Sequence, residues 1–172
     1  MLSSPYKFHK VEKEGYYSFV SKNDITYKCF FTQKAEDGSD LLGLKLKSPV
    51  IFFNFNRENK ESAVVYDRRI GFTIADILNQ FFKKNPNAII SYICDNGDYK
   101  AIKRQNHFEK WFSTHNKAPK KTLIKAEIHD VIYAGAIMLF EHPEKKKVEN
   151  YFIKELKKFN ETDKSGEINV FE

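Results

Sequence analysis

A chain of 172 residues suits one domain and leaves little room for two. Its make-up, 41% hydrophobic and 30% charged with only 7 glycines and 5 prolines, excludes a loop-built or disordered protein. The net charge of +6 rests mostly on lysine, and no run approaches the ~18 apolar residues of a membrane span.

The chain in order begins with Met1-Leu2-Ser3-Ser4-Pro5, which lacks a basic stretch followed by an apolar one, so no secretion signal is expected and the expected location is cytoplasmic. Tyr16 to Ser21 reads as a short aromatic strand, Lys22-Asn23-Asp24 as a turn, and Ile25 to Gln33 as a second strand with Ile25, Tyr27, Cys29 and Phe31 on one face. Ala35 to Asp40 is a loop by composition, Pro49 to Asn56 a strand, Arg57 to Glu61 a polar turn, and Ser62 to Asp67 a further strand. Thr73 with Asp76 predicts a helix start of the capping-box kind, and Ile74, Ile77, Leu78, Phe81 and Phe82 follow the spacing of a buried helix face that ends at Lys83 and Lys84. Ala88 to Cys94 is nearly all apolar, as a strand covered on both faces would be. Asp98 is a candidate cap for a helix over Tyr99 to His115, two strands follow at Leu123 to Ile128 and Val131 to Phe140, and Pro143 opens a last helix with Val148, Tyr151, Phe152, Leu156 and Phe159 inward. The order predicts one α+β domain over residues 1–160, with a largely antiparallel mixed sheet of about six or seven strands and about three helices. Residues 161–172 offer few anchors and are expected to be mobile.

Candidate chemistry is thin. Cys29 and Cys94 sit in apolar runs and are expected to be buried free thiols. The five histidines show no metal-ligand spacing, so no metal is assigned. Asp95 and Asp98 could supply a base or a metal ligand, although turn formation and capping account for both. The lysines of the last helix, with Lys120 and Lys121, form either a nucleic-acid patch or a solvated face that Glu144, Glu149 and Glu155 dilute. The most informative stretch is Asp67-Arg68-Arg69-Ile70-Gly71-Phe72-Thr73, placed between an expected strand and a helix start. Two arginines and a glycine beside unpaired helix amides suit a phosphate, while an ordinary strand-to-helix turn, with Arg68 and Arg69 pairing with Asp67 or solvent, is the better account of the residues alone.

Arg68-x-x-Gly71-x-Thr73 resembles the pyrophosphate loop of Gcn5-related N-acetyltransferases, Gln/Arg-x-x-Gly-x-Gly/Ala, and the helix, core strand, helix and two strands that follow resemble that family over about Pro49 to Phe140. The resemblance implies an acetyltransferase-like fold that binds acetyl-CoA through Arg68, Arg69, Gly71, Phe72 and Thr73. The sequence departs from the pattern in having threonine at Thr73, and Phe108-Glu109-Lys110 where a tyrosine acid usually precedes Glu-Lys, so no catalytic residue is assigned. The whole chain more closely resembles a small bacterial family of uncharacterised proteins, through Pro5-Tyr6-Lys7-Phe8, Asp67-x-Arg69-Ile70, Tyr92-Ile93-Cys94-Asp95 and Phe108-x-x-Trp111-Phe112. Two readings stay open: an acyl-CoA-binding, N-acetyltransferase-like protein, or a non-catalytic module for a protein or nucleic-acid partner.

Overall fold

The computed structural model describes residues 4–33, 46–58, 67–94, 101–116, 119–128, 132–160 and 168–171. Eight strands and three helices follow one another as β1 (Phe8–Val11), β2 (Tyr16–Val20), β3 (Thr26–Thr32), β4 (Val50–Arg57), α1 (Arg68–Lys84), β5 (Ile89–Cys94), α2 (Ala101–His115), β6 (Lys121–Ile128), β7 (Ile132–Leu139), α3 (Lys145–Asn160) and β8 (Ile168–Phe171). The strands form one mixed sheet in the order β1-β2-β3-β4-β5-β7-β6-β8. Every described pairing is antiparallel except β4 with β5, which is parallel. The α+β class is therefore as the sequence predicts.

The burial pattern explains the layering. α1 and α2 cover one face of the sheet, where Phe19, Tyr27, Cys29, Phe53, Ile74, Phe82, Ile90, Tyr92 and Ile137 share one core. α3 covers the other face through Val148 and Phe152, which meet Ile89, Ile124, Ala136 and Met138. Neighbouring residues of β5 point to opposite cores, Ile89 to one and Ile90 to the other, which is why that run carries no polar alternation. Both cysteines are buried free thiols, and burial pushes Cys29 up to about 12, so it stays protonated at neutral pH.

Four expectations need correction. α1 begins at Arg68 rather than after Thr73, because the Asp67 carboxylate accepts the Arg69 N–H at 3.0 Å and caps the helix six residues earlier. Thr73 is fully buried inside the helix, donating its hydroxyl to the Arg69 carbonyl at 2.7 Å and accepting the Tyr6 N–H at 2.9 Å. The sequence pattern predicts no strand over Phe8–Val11, yet β1 forms there; Gly15, at φ 70°, closes its hairpin with β2 in a conformation that glycine adopts without strain. Finally, Ile168–Phe171 pair antiparallel with β6 and so belong to the sheet, consistent with the β-branched Ile168 and Val170. Of the expected strand Ser62 to Asp67, only Asp67 lies among the described residues; the loop Ala35 to Asp40, Asp95 and Asp98 lie outside them.

The turn before α3 ties the two sides of the sheet together. Glu144 accepts the Lys47 N–H at 3.1 Å and the Ser48 N–H at 2.9 Å. Hydrogen bonds from the Ser48 side chain and from these two amides hold its carboxyl down at about 2, against an ordinary 4.5. A depressed folded-state value means that this stabilisation is complete above the ordinary value and is lost as the pH falls from there towards about 2. Glu144→Gln should therefore flatten the fall of Tm over that acid range, as a series of thermal melts at stepped pH would record.

Candidate functional site

The parallel pair is short. β4 and β5 are in register only at Val50–Ile89, Ile51–Ile90 and Phe52–Ser91. Beyond that point β4 continues along β3 to Arg57 and β5 continues along β7 to Cys94, so the two strands part. Ligands of open sheets gather in the crevice outside the carboxyl ends of parallel strands. A cleft of about 350 Å³ occupies that position.

Its walls follow from two periodicities. Phe53, Phe55 and Arg57 alternate along β4 and share one face, while Arg104, His107, Phe108 and Trp111 recur at helical spacing on α2. Tyr27 stacks on Phe55 with ring centroids 5.3 Å apart, Phe55 meets Trp111 edge-on at 6.3 Å, and Tyr92 stacks on Phe108 at 4.4 Å. Asp67 and Ile70, at the start of α1, complete the rim. The polar residues in the lining include Arg57, Arg104, His107, Asp67, Tyr27 and Tyr92. Burial raises the pKa of Tyr27 above the ordinary tyrosine range, with Arg57 opposing and Asp67 adding to the shift, so the phenol is neutral. The Tyr92 phenol is raised further by burial.

Glycine makes this packing possible at two points. A Cβ on Gly135 would lie 2.3 Å from the Tyr92 ring, and one on Gly71 would lie 2.3 Å from Trp111 Cδ1. Behind Tyr92, the buried Gln105 donates Nε2–H bonds to the Tyr92 hydroxyl at 3.3 Å and to Glu109 Oε1 at 3.0 Å, and Glu109 pairs with Lys125 at 2.5 Å. This chain of polar groups fastens α2 to β5 and β6.

The five residues expected to hold phosphate lie in the first turns of α1, beside the cleft but not in its lining. Arg68 is exposed at the first helical position. Arg69 lays its guanidinium over the Tyr6 ring at 3.9 Å and donates from Nε to the Ser4 carbonyl at 2.8 Å. Gly71 is covered by Trp111, Phe72 packs on His115 with centroids 3.9 Å apart, and Thr73 lies beneath Tyr6. The Tyr6 hydroxyl donates to the second oxygen of Asp67, so the cap, the cleft rim and residues 4–7 meet at one carboxylate. Sequence reasoning missed the cleft itself, although the alternation of Phe53, Phe55 and Arg57 was a usable signal.

The lysines expected to form a patch divide. Lys121 is buried, donates to the Pro119 carbonyl at 2.7 Å, and is lowered by burial to about 8. Lys120 stays on the surface and meets Lys145 at the Phe140 ring. Among the described residues no group of three His, Cys, Asp or Glu side chains could hold a metal ion, and no helix is long and apolar enough to cross a membrane.

The fold and the cleft define an α+β protein with a mixed, partly splayed sheet. Residues 66–161, more than half of the chain, match the model of a family of unknown function, DUF6169. The chain belongs to that family, as its resemblance to a family of uncharacterised proteins implied. The match runs from the α1 cap through the end of α3. No curated protein and no solved structure matches the chain.

Proposed function

We propose that this protein binds an acyl-CoA, or a similar acyl ligand carrying phosphate, in the cleft between β4 and β5, as an N-acetyltransferase-like protein. The observation that carries this reading is the early end of the β4–β5 ladder at Phe52–Ser91, with the first turn of α1 at the edge of the opening. Backbone groups facing each other across parted strands can hydrogen-bond an extended ligand that carries amides. The aromatic walls suit an acyl chain, and Arg57, Arg104 and the exposed Arg68 supply positive charge for phosphate oxygens. The order helix, strand, helix, two antiparallel strands from α1 to β7 also agrees with the acetyltransferase resemblance.

In this reading the five α1 residues divide their work. Arg68 meets the phosphate, while Arg69, Gly71, Phe72 and Thr73 shape the turn that presents it. Phe108 offers no hydroxyl for proton donation, so the proposal is one of binding, and transfer is tested separately.

Calorimetry with acetyl-CoA and with CoA tests it. Saturable binding is expected, weakened on the order of tenfold by Arg68→Glu through charge reversal at a phosphate. Arg68 is exposed, so the variant should melt with the wild type. The absence of binding heat at millimolar ligand would overturn the proposal. Release of free CoA thiol in the presence of amine acceptors would establish transfer.

A further inference from the structure

Building on the acyl-CoA reading above, we infer that the cleft selects a medium-length aliphatic acyl group, about eight carbons long, in preference to acetyl. Size is the first reason. A cleft of about 350 Å³, at ~30 Å³ for each water-sized group, has room for roughly ten such groups. An acetyl group would leave most of that space to water. Six aromatic rings, those of Tyr27, Phe53, Phe55, Tyr92, Phe108 and Trp111, line it. Phe55, Phe108 and Trp111 are half-buried, so part of each ring is still open to be covered. Each methylene laid against such surface adds about threefold to affinity.

Ile93 points to the same kind of occupant. It follows Tyr92 in β5 and so faces the other side of the sheet, yet it lines the cleft where β4 has parted from β5. It is 48% exposed, on an interior strand that stands between β4 and β7. An apolar ligand in the cleft would cover a large side chain that the fold leaves open beside the aromatic rings. The charged groups stand farther out. Arg104 and His107 are exposed, and Arg57 and Asp67 half-buried, whereas Tyr27, Phe53 and Tyr92 are buried. An amphipathic ligand matches this order, with its apolar tail against the rings and its polar head at the mouth. A sugar is the poorer fit, because aromatic rings return few of the hydrogen bonds that it would give up on leaving water.

The test is calorimetry of the full chain with CoA, acetyl-CoA, hexanoyl-CoA and octanoyl-CoA. Affinity should rise with each lengthening, and octanoyl-CoA should bind at least about a hundredfold tighter than acetyl-CoA. Ile93→Ser removes apolar contact without adding charge. It should weaken octanoyl-CoA about fivefold and leave acetyl-CoA within about twofold. Ile93 is exposed, so the variant should melt close to the wild type. Three results would each overturn the proposal, and they differ in what else they remove. Equal binding of acetyl-CoA and octanoyl-CoA would end the chain preference and leave the acyl-CoA reading standing. No binding of any of the four ligands would end both. Equal loss of both thioesters in Ile93→Ser would mean that the chain does not lie in this cleft.

Discussion

Gly135→Val is expected to cost about 3 kcal/mol of stability, at the upper end of what overpacking a core produces. Ordinary strand preferences predict the opposite sign, since valine favours a strand and glycine weakens one. The reason for the reversal is geometric. Gly135 on β7 is directly opposite Tyr92 on β5, and a Cβ there would come within 2.3 Å of the ring. The ring has nowhere to go, because Phe108 stacks on it at 4.4 Å and Gln105 holds its hydroxyl. For a chain of this length a loss of about 3 kcal/mol corresponds to a fall in Tm of roughly 6–12 °C, which calorimetry or a circular-dichroism melt would resolve. Combining the change with Tyr92→Leu should recover part of the loss, because the two residues share one space. A single variant as stable as the wild type would mean that the two strands do not approach as described.

Gly71→Ala is the second large effect. In an exposed helix the change would stabilise by up to about 1 kcal/mol. Here a loss of about 2 kcal/mol is expected, since the new methyl would lie 2.3 Å from Trp111 Cδ1 and 2.6 Å from Nε1. α1 and α2 would have to separate, and the wall that Trp111 gives the cleft would move with them. The chain contains 1 tryptophan, so its emission reports this wall directly. A shifted emission spectrum with a lower urea midpoint is expected; a stabilised protein with unchanged emission would remove the close packing of the two helices.

Much of the fold was legible because periodicity carries it. The inward face of β3, the buried face of α1 and the doubly covered β5 all follow from the spacing of apolar residues. The misreadings have physical causes. Thr73 and Asp76 imitate a helix start, but the decision lies with Asp67, whose oxygens reach both the Arg69 amide and the Tyr6 hydroxyl, and Tyr6 is distant in the chain. β1 and β8 are short edge strands whose pairing depends on a partner strand already in place. The cleft was not legible as a site because it requires β4, β5, α1 and α2 to converge, and no local motif records that convergence. Arg69 reads as a phosphate ligand from its neighbours in sequence, and its guanidinium lies over the Tyr6 ring and donates to the Ser4 carbonyl.

The short parallel ladder between β4 and β5 has a mechanical meaning. On one side of it stand β1 to β4, joined by antiparallel ladders; on the other stand β5, β7, β6 and β8, joined in the same way. Among the described residues, three residue pairs of the sheet connect the two halves. The sheet is thus two antiparallel halves joined along a short parallel seam, and the cleft opens where that seam ends. The family match, residues 66–161, takes in α1 to α3 with β5, β6 and β7, and leaves β1 to β4 and β8 outside. Because α1 and α2 pack on both halves, a sequence change in β1 to β4 is transmitted across the seam through that shared core.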